Sequence, residues 1–386
     1  MITPMSELII KPTETEDEYR KAAELVARVY TDTDTEAYDR WYAGSLQAMS
    51  QPGFDMACHR LALLDGRIVA HVKAERRRLN YGSVQIPFGG IGIVCTDPAY
   101  QRRGIAAALM WDTIAYMKAR GDVLSLLAGI PAYYPRFGYR NLWPNGWLNF
   151  KAAAAAALDA PLGMRAAEVA DIPQLAALYE HCWGHRVTAP RSPDWWRWRI
   201  ETYPPDYLRV FENRSGQIEG YAAGQGWETE IVAATSAATR SLAAHSGQMA
   251  LEAGENTVTW LLPPDDRAIY DVRRWLNSEY RIEYNPTADW MGLILDGARL
   301  RDILMPEITL QTGLDERGLI LDIQPEIVHI GLRGQDEDIE LDHGTFLPVM
   351  FGALPPRMLD VSADAQRLLE RLFPPRVAML APADWF

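Results

Sequence analysis

The most restrictive feature of this chain is the run Ile91-Gly92-Ile93-Val94-Cys95-Thr96-Asp97-Pro98-Ala99-Tyr100-Gln101-Arg102-Arg103-Gly104-Ile105-Ala106. An apolar strand-like segment is broken at Pro98, and an alanine-rich helical stretch opens after Gly104. A strand must therefore feed directly into the start of a helix. The first turn of a helix carries unpaired N–H groups and the positive end of the helix dipole, which together bind phosphate. Gly104 and Ala106 place no bulk over those groups, and Arg102 and Arg103 add positive charge.

The neighbouring pattern is consistent with an α/β unit around this junction. Residues 8–10 read as a short strand. Residues 15–30 read as an amphipathic helix, with Tyr19, Ala22, Val26 and Val29 on one face. Residues 32–41 are polar and acidic, a loop followed by a helix. Asp65-Gly66 between two apolar runs marks a hairpin. Residues 105–120 are helical up to Gly121, and residues 123–128 read as a buried strand. After a polyalanine run at 151–157, residues 164–180 repeat the opening order of strand, acidic turn and amphipathic helix, with Asp171 as cap before Pro173. From position 288 the pattern is mixed α+β, with strands expected at 308–310, 319–323 and 327–331 and a helix at 362–373.

A length of 386 residues suits two or three domains. The formal charge of −13, from 51 acidic and 38 basic residues, disfavours a nucleic-acid partner and favours cationic ones. Glu36 and Asp39, with Asp32, could add to that attraction. Cys58, Cys95 and Cys182 are isolated and odd in number, which fits neither a disulfide framework nor a zinc knuckle. His181 and His185 stand four apart without a third ligand, so no metal is expected. No apolar run reaches membrane-spanning length, and the acidic opening residues are no signal peptide, so a cytoplasmic location is expected.

A second motif, Tyr133-Tyr134-Pro135-Arg136-Phe137-Gly138-Tyr139, follows the first. Together the two resemble the signatures of the GNAT superfamily of N-acetyltransferases. The Tyr-Pro-Arg-Phe-Gly-Tyr string resembles, more narrowly, the enhanced-intracellular-survival (Eis) family. That resemblance implies α/β and α+β architecture: a catalytic GNAT domain (1–150), a degenerate second GNAT domain (151–287) and a sterol-carrier-protein-like domain (288–386). It implies acetyl-CoA as co-substrate, held by Val94, Cys95, Thr96, Gln101, Arg102, Arg103, Gly104, Ile105 and Ala106. It makes Tyr134 the general acid, and the α-carboxylate of Phe386 the base that takes the acceptor's proton. Asp32, in Tyr30-Thr31-Asp32, and Trp41 are the acceptor-binding candidates.

The expected reaction is acetyl transfer to a primary amine of a small cationic molecule or a lysine-containing peptide, by a homo-oligomer, trimer or hexamer. Two departures bear on the acceptor site: Gln101 opens the basic run, and Trp385, where the family has an acidic residue, precedes Phe386. Two other readings are an acetyl-CoA sensor without catalysis and a lipid-binding protein acting through the third segment.

Overall fold

The computed structural model describes residues 7–224, 229–285, 287–335 and 338–385. Its first unit runs β1 (Leu8–Pro12), α1 (Glu16–Thr31), α2 (Thr35–Gln47), β2 (His59–Leu64), β3 (Arg67–Tyr81), β4 (Val84–Thr96), α3 (Ile105–Ala119) and β5 (Leu124–Gly129). The Thr15 hydroxyl accepts from the Glu18 N–H and caps α1, whose first turn holds Glu16, Asp17 and Glu18. α1 buries Tyr19, Ala22, Leu25 and Val26 against the sheet. β1 to β4 pair antiparallel in sequence order, whereas β4 and β5 pair parallel, with α3 as the crossover between them.

The parallel pairing of β4 and β5 ends early. Its register covers Phe88 with Leu124 through Ile91 with Leu127. Beyond Ile91, β4 continues to Thr96 without β5 beside it. The sheet is thus parted into a wedge above the start of α3.

The element order of the first unit returns downstream. Strand Gly163–Ala166, helices Ile172–Trp183 and Pro193–Thr202, three antiparallel strands, helix Ser236–Glu252 and strand Thr257–Leu261 follow in the same succession. Here the last strand leaves its sheet altogether and pairs with Asn145–Lys151, which also pairs with Ser278–Glu283. The tryptophan-rich helix packs inward, with Trp195, Trp196 and Trp198 buried. Asp171 does not cap its helix with its side chain. Its carboxylate accepts from the Glu168 N–H and pairs with Arg165.

Chain past position 288 first returns to the first unit. Strand Asp289–Ile294 pairs antiparallel with β5 and, on its other edge, with Arg140–Asn141. The strand expected at 308–310 lies instead inside helix Gly297–Thr312. The Asp296 side chain caps that helix at Arg299 N–H, and Leu300, Leu304 and Ile308 recur every four residues on its buried face. Ile308-Thr309-Leu310 cannot reveal this period by itself. Three antiparallel strands (Leu319–Ile323, Ile327–Leu332, Asp338–Asp342) and helices His343–Met350 and Ala363–Leu372 complete the chain. They share one core with the first sheet, in which Tyr81, Phe88 and Trp290 meet Phe346 and Phe351, and the Tyr81 hydroxyl donates to Met350 O at 2.9 Å. Among the described residues no helix is long and apolar enough to cross a membrane.

Because Asp289–Ile294 covers the β5 edge, a chain cut after residue 287 exposes an unpaired apolar strand. Such a truncation is expected to aggregate or to bind a hydrophobic dye; a soluble protein with a single sharp melting transition would contradict this.

Candidate active site

The wedge between β4 and β5 is continuous with the loop before α3. A cavity of about 870 Å³ runs from Ile91–Thr96 to the first turn of α3 and across to Tyr133 and Tyr134. Local backbone geometry prepares it. β3 pairs His71 with Cys95 and Lys73 with Gly92, so Ile93 and Val94 have no single partner across the ladder. Ile93 adopts φ +54°. A β-branched residue avoids that region, so the bulge stores strain that the surrounding sheet must hold. The Tyr30 hydroxyl donates to Val94 O at 3.2 Å and steadies the bulge from α1.

At the other end, Gly104 precedes α3 with φ +80° and open space around its Cβ position. Its left-handed backbone suits glycine, and the free space lets a ligand approach the N–H groups of the first turn. Gln101, Arg102, Gly104, Ile105 and Ala106 line this end, as do Val94, Cys95 and Thr96 further in. Arg103 does not. Its guanidinium turns back to donate to Ala99 O and lies 5.2 Å from the Tyr100 ring centre.

Tyr134 sits in a short 3-10 turn, Tyr134–Phe137, that Gly138 closes. Its ring packs edge-on against Tyr133 at 5.0 Å and approaches Gly129, where a Cβ would lie 2.7 Å from the ring. Burial pushes its hydroxyl pKa well up, so the phenol holds its proton throughout the neutral range. Cys95 faces the α1 side, packed on Leu25 and Val26, and burial pushes its thiol up to about 12. It is no nucleophile at neutral pH.

A second cavity, about 540 Å³, lies on the α1–α2 side of the sheet and shares Ile93 with the first. Trp41 lines it and stacks on Tyr30 at 4.9 Å. Asp32 is exposed and lines neither cavity. Tyr203 of the second unit and Trp385 reach this cavity too. Phe386 is outside the described residues. Trp385 is positioned by its neighbour: Asp384 and Glu230 are buried and both pair with buried Arg191, at 2.7 and 2.6 Å.

Reasoning from the motifs missed the polar floor of this second cavity. His59 Nδ1 and His71 Nε2 are 3.0 Å apart, with the rings stacked, and Lys73 follows on β3. Burial, followed by Lys73, pushes His71 down to about 3, and burial holds His59 well below its usual value. The only signal was the alternation of His71, Lys73 and Glu75 along one strand face, which also describes a solvated sheet edge.

Residues 10–142 match the family model described as the acetyltransferase (GNAT) domain. An uncharacterized N-acetyltransferase of Streptomyces griseus is 24% identical over 279 residues, which is 66% of this chain and 60% of that relative's length. Among solved structures, a GCN5-related N-acetyltransferase from Kribbella flavida is similar at TM-score 0.64 and 16% identity, covering 99% of both chains. Eis1 from Mycobacterium abscessus is similar at TM-score 0.60 and 16% identity, covering 97% of this chain and 99% of that one. The chain has the fold of these proteins over nearly its whole length, and the match to the GNAT model lies in its N-terminal third.

The buried histidines generate a pH prediction. Their folded pKa values lie below the unfolded value of about 6.5. Between those values the unfolded chain binds more protons, so the stability they permit is full above about pH 6.5 and falls as pH drops toward 3. The slope is about 1.4 kcal/mol per pH unit for each histidine. Urea titrations at pH 7 and 5.5 should show this loss, and His59→Phe/His71→Phe should flatten it; an unchanged slope in the double variant would contradict it.

Proposed function

We propose that the chain is an acetyl-CoA-dependent N-acetyltransferase that joins acetyl to a primary amine without a covalent enzyme intermediate. The observation that carries this reading is that Ile93 lines both cavities. One runs to a phosphate-binding helix start and the other is walled by aromatic side chains. A donor in the first and an amine in the second would bring thioester and nitrogen together at the bulge, and such positioning can remove much of the barrier.

The pyrophosphate of the donor lies against Gly104 to Ala106, with Arg102 beside it. The pantetheine extends along Val94 to Thr96 in place of the missing β5 partner. The amine nitrogen attacks the thioester carbon, the C–S bond breaks, and Tyr134 gives its proton to the departing thiolate. The nitrogen's surplus proton returns to the Tyr134 oxygen, giving an amide and free CoA. A neutral amine closes this balance with Tyr134 alone. An ammonium needs a further base, for which the Eis resemblance offers the Phe386 carboxylate.

One donor site per chain is proposed. In the second unit the corresponding helix start is closed: the Thr235 hydroxyl accepts from Ala238 N–H and donates to the Glu219 carboxylate. That carboxylate would repel a phosphate. Calorimetry with acetyl-CoA is expected to give one site per chain, and Gly104→Glu to abolish it; two sites, or unchanged binding in the variant, would contradict the assignment.

Tyr134→Phe should lower kcat by about 100-fold or more while leaving the KM for acetyl-CoA nearly unchanged, because the hydroxyl acts when charge reaches sulfur. A variant within about threefold of the parent, with chemistry rate-limiting, would place the acid elsewhere.

A further inference from the structure

The cavity on the α1–α2 side has a composition that restricts the acceptor. Its rings are Tyr19, Trp41, Tyr203 and Trp385, with the imidazoles of His59 and His71 beneath. Lys73 and Arg40 are its charged lining residues, and among the described residues no Asp or Glu lines it. The carboxylate beside Lys73 is Glu75, and it is already engaged. It pairs with Lys73 at 3.2 Å and Arg77 at 2.8 Å, and accepts from the Gln51 side chain at 2.9 Å. Arg40 pairs with Glu36 along the outer face of α2.

From this geometry we propose that the acceptor is a planar aromatic amine that is uncharged at neutral pH, of the aniline class, and that polycationic amines are excluded. The proposal rests on the transferase reading above and narrows the substrate of that same site. Three lines of physical chemistry support it. The first is shape and surface: flat rings bury large area against aromatic walls and gain from edge or offset stacking. The second is charge. A polyamine or aminoglycoside would bring several ammonium groups beside Lys73 and Arg40, and the single α-carboxylate that the Eis resemblance offers here could offset only one of them. Desolvating an unpaired ammonium is costly.

The third is a reading of the field inside the cavity itself. Two imidazoles in its wall stay neutral although each is a better base than any lining amide or hydroxyl. Their pKa values are depressed by burial and, for both, by Lys73. The same burial and the same lysine would oppose an added cation.

The chemistry closes with this class of acceptor. A neutral aniline nitrogen attacks the acetyl carbon, CoA leaves as the thiol with the Tyr134 proton, and the nitrogen's proton restores Tyr134.

The test uses the full-length chain with acetyl-CoA and three acceptors: 4-methylaniline, phenethylamine and spermidine. Thiol release gives kcat/KM for each, and calorimetry in the presence of CoA gives binding of each. The expected result is 4-methylaniline favoured over spermidine by at least about tenfold, about 1.4 kcal/mol. Lys73→Met, which removes the charge without placing a new one beside Glu75, should raise spermidine turnover severalfold and leave acetyl-CoA binding intact. Spermidine turned over as well as 4-methylaniline would overturn the proposal. If acetyl-CoA binds and no amine releases thiol, the transferase reading fails; the acceptor proposal then stands or falls on calorimetry, where 4-methylaniline binding more tightly than spermidine supports it and absent aromatic binding overturns it.

Discussion

The structure depends on one constraint: β4 and β5 are parallel neighbours that must part after Ile91 and Leu127. A sheet that stayed zipped would satisfy more backbone groups but leave no space for a ligand. Parting exposes the β4 edge, and the bulge at Ile93 turns it toward the opening. The helix that links the two strands then necessarily begins at the mouth of the wedge. The open helix start at Gly104 and the free edge at Val94 are thus two results of a single departure from regular sheet.

That departure requires support from the rest of the chain. Strand Asp289–Ile294 gives β5 a partner on its other edge, which keeps it ordered where β4 has left it. The C-terminal helices and three-stranded sheet press on the far side through Phe346 and Phe351. The second unit contributes Tyr203 to the cavity on the α1–α2 side and holds Asp384 through Arg191. A fully buried arginine between two carboxylates is a weak source of net stability, yet removing one partner strands a buried charge. Its effect is to fix where the C-terminal segment lies, and therefore where Trp385 stands. The wall of that cavity is assembled from three distant parts of the chain.

What could be read from the residues follows the range of the interactions. The strand-to-helix junction at residues 96–106 is local, so Pro98 and Gly104 disclosed the open helix start. α1 was legible from the spacing of Tyr19, Ala22 and Val26, and Tyr134 from its distance to Gly138. The left-handed Ile93 was hidden, because a β-branched residue in an apolar run argues for extended backbone. His59, His71 and Lys73 alternate on strand faces that read as solvated until α1, α2, Tyr203 and Trp385 cover them. Asp32 was drawn in by its motif, but its place at the exposed end of α1 keeps it out of both cavities. The helix at Gly297–Thr312 was misread at Ile308 because only the longer window shows its fourfold spacing.

A donor that fills the β4–β5 wedge and closes on the start of α3 would shield both from solvent. Amide hydrogen exchange, measured with and without acetyl-CoA, tests it residue by residue. Slowed exchange is expected at Ile93 to Thr96 and at Gly104 to Ala107, with no change at the capped helix start around Ser236. Unchanged exchange across the wedge, or protection appearing at Ser236 to Ala238 instead, would contradict it.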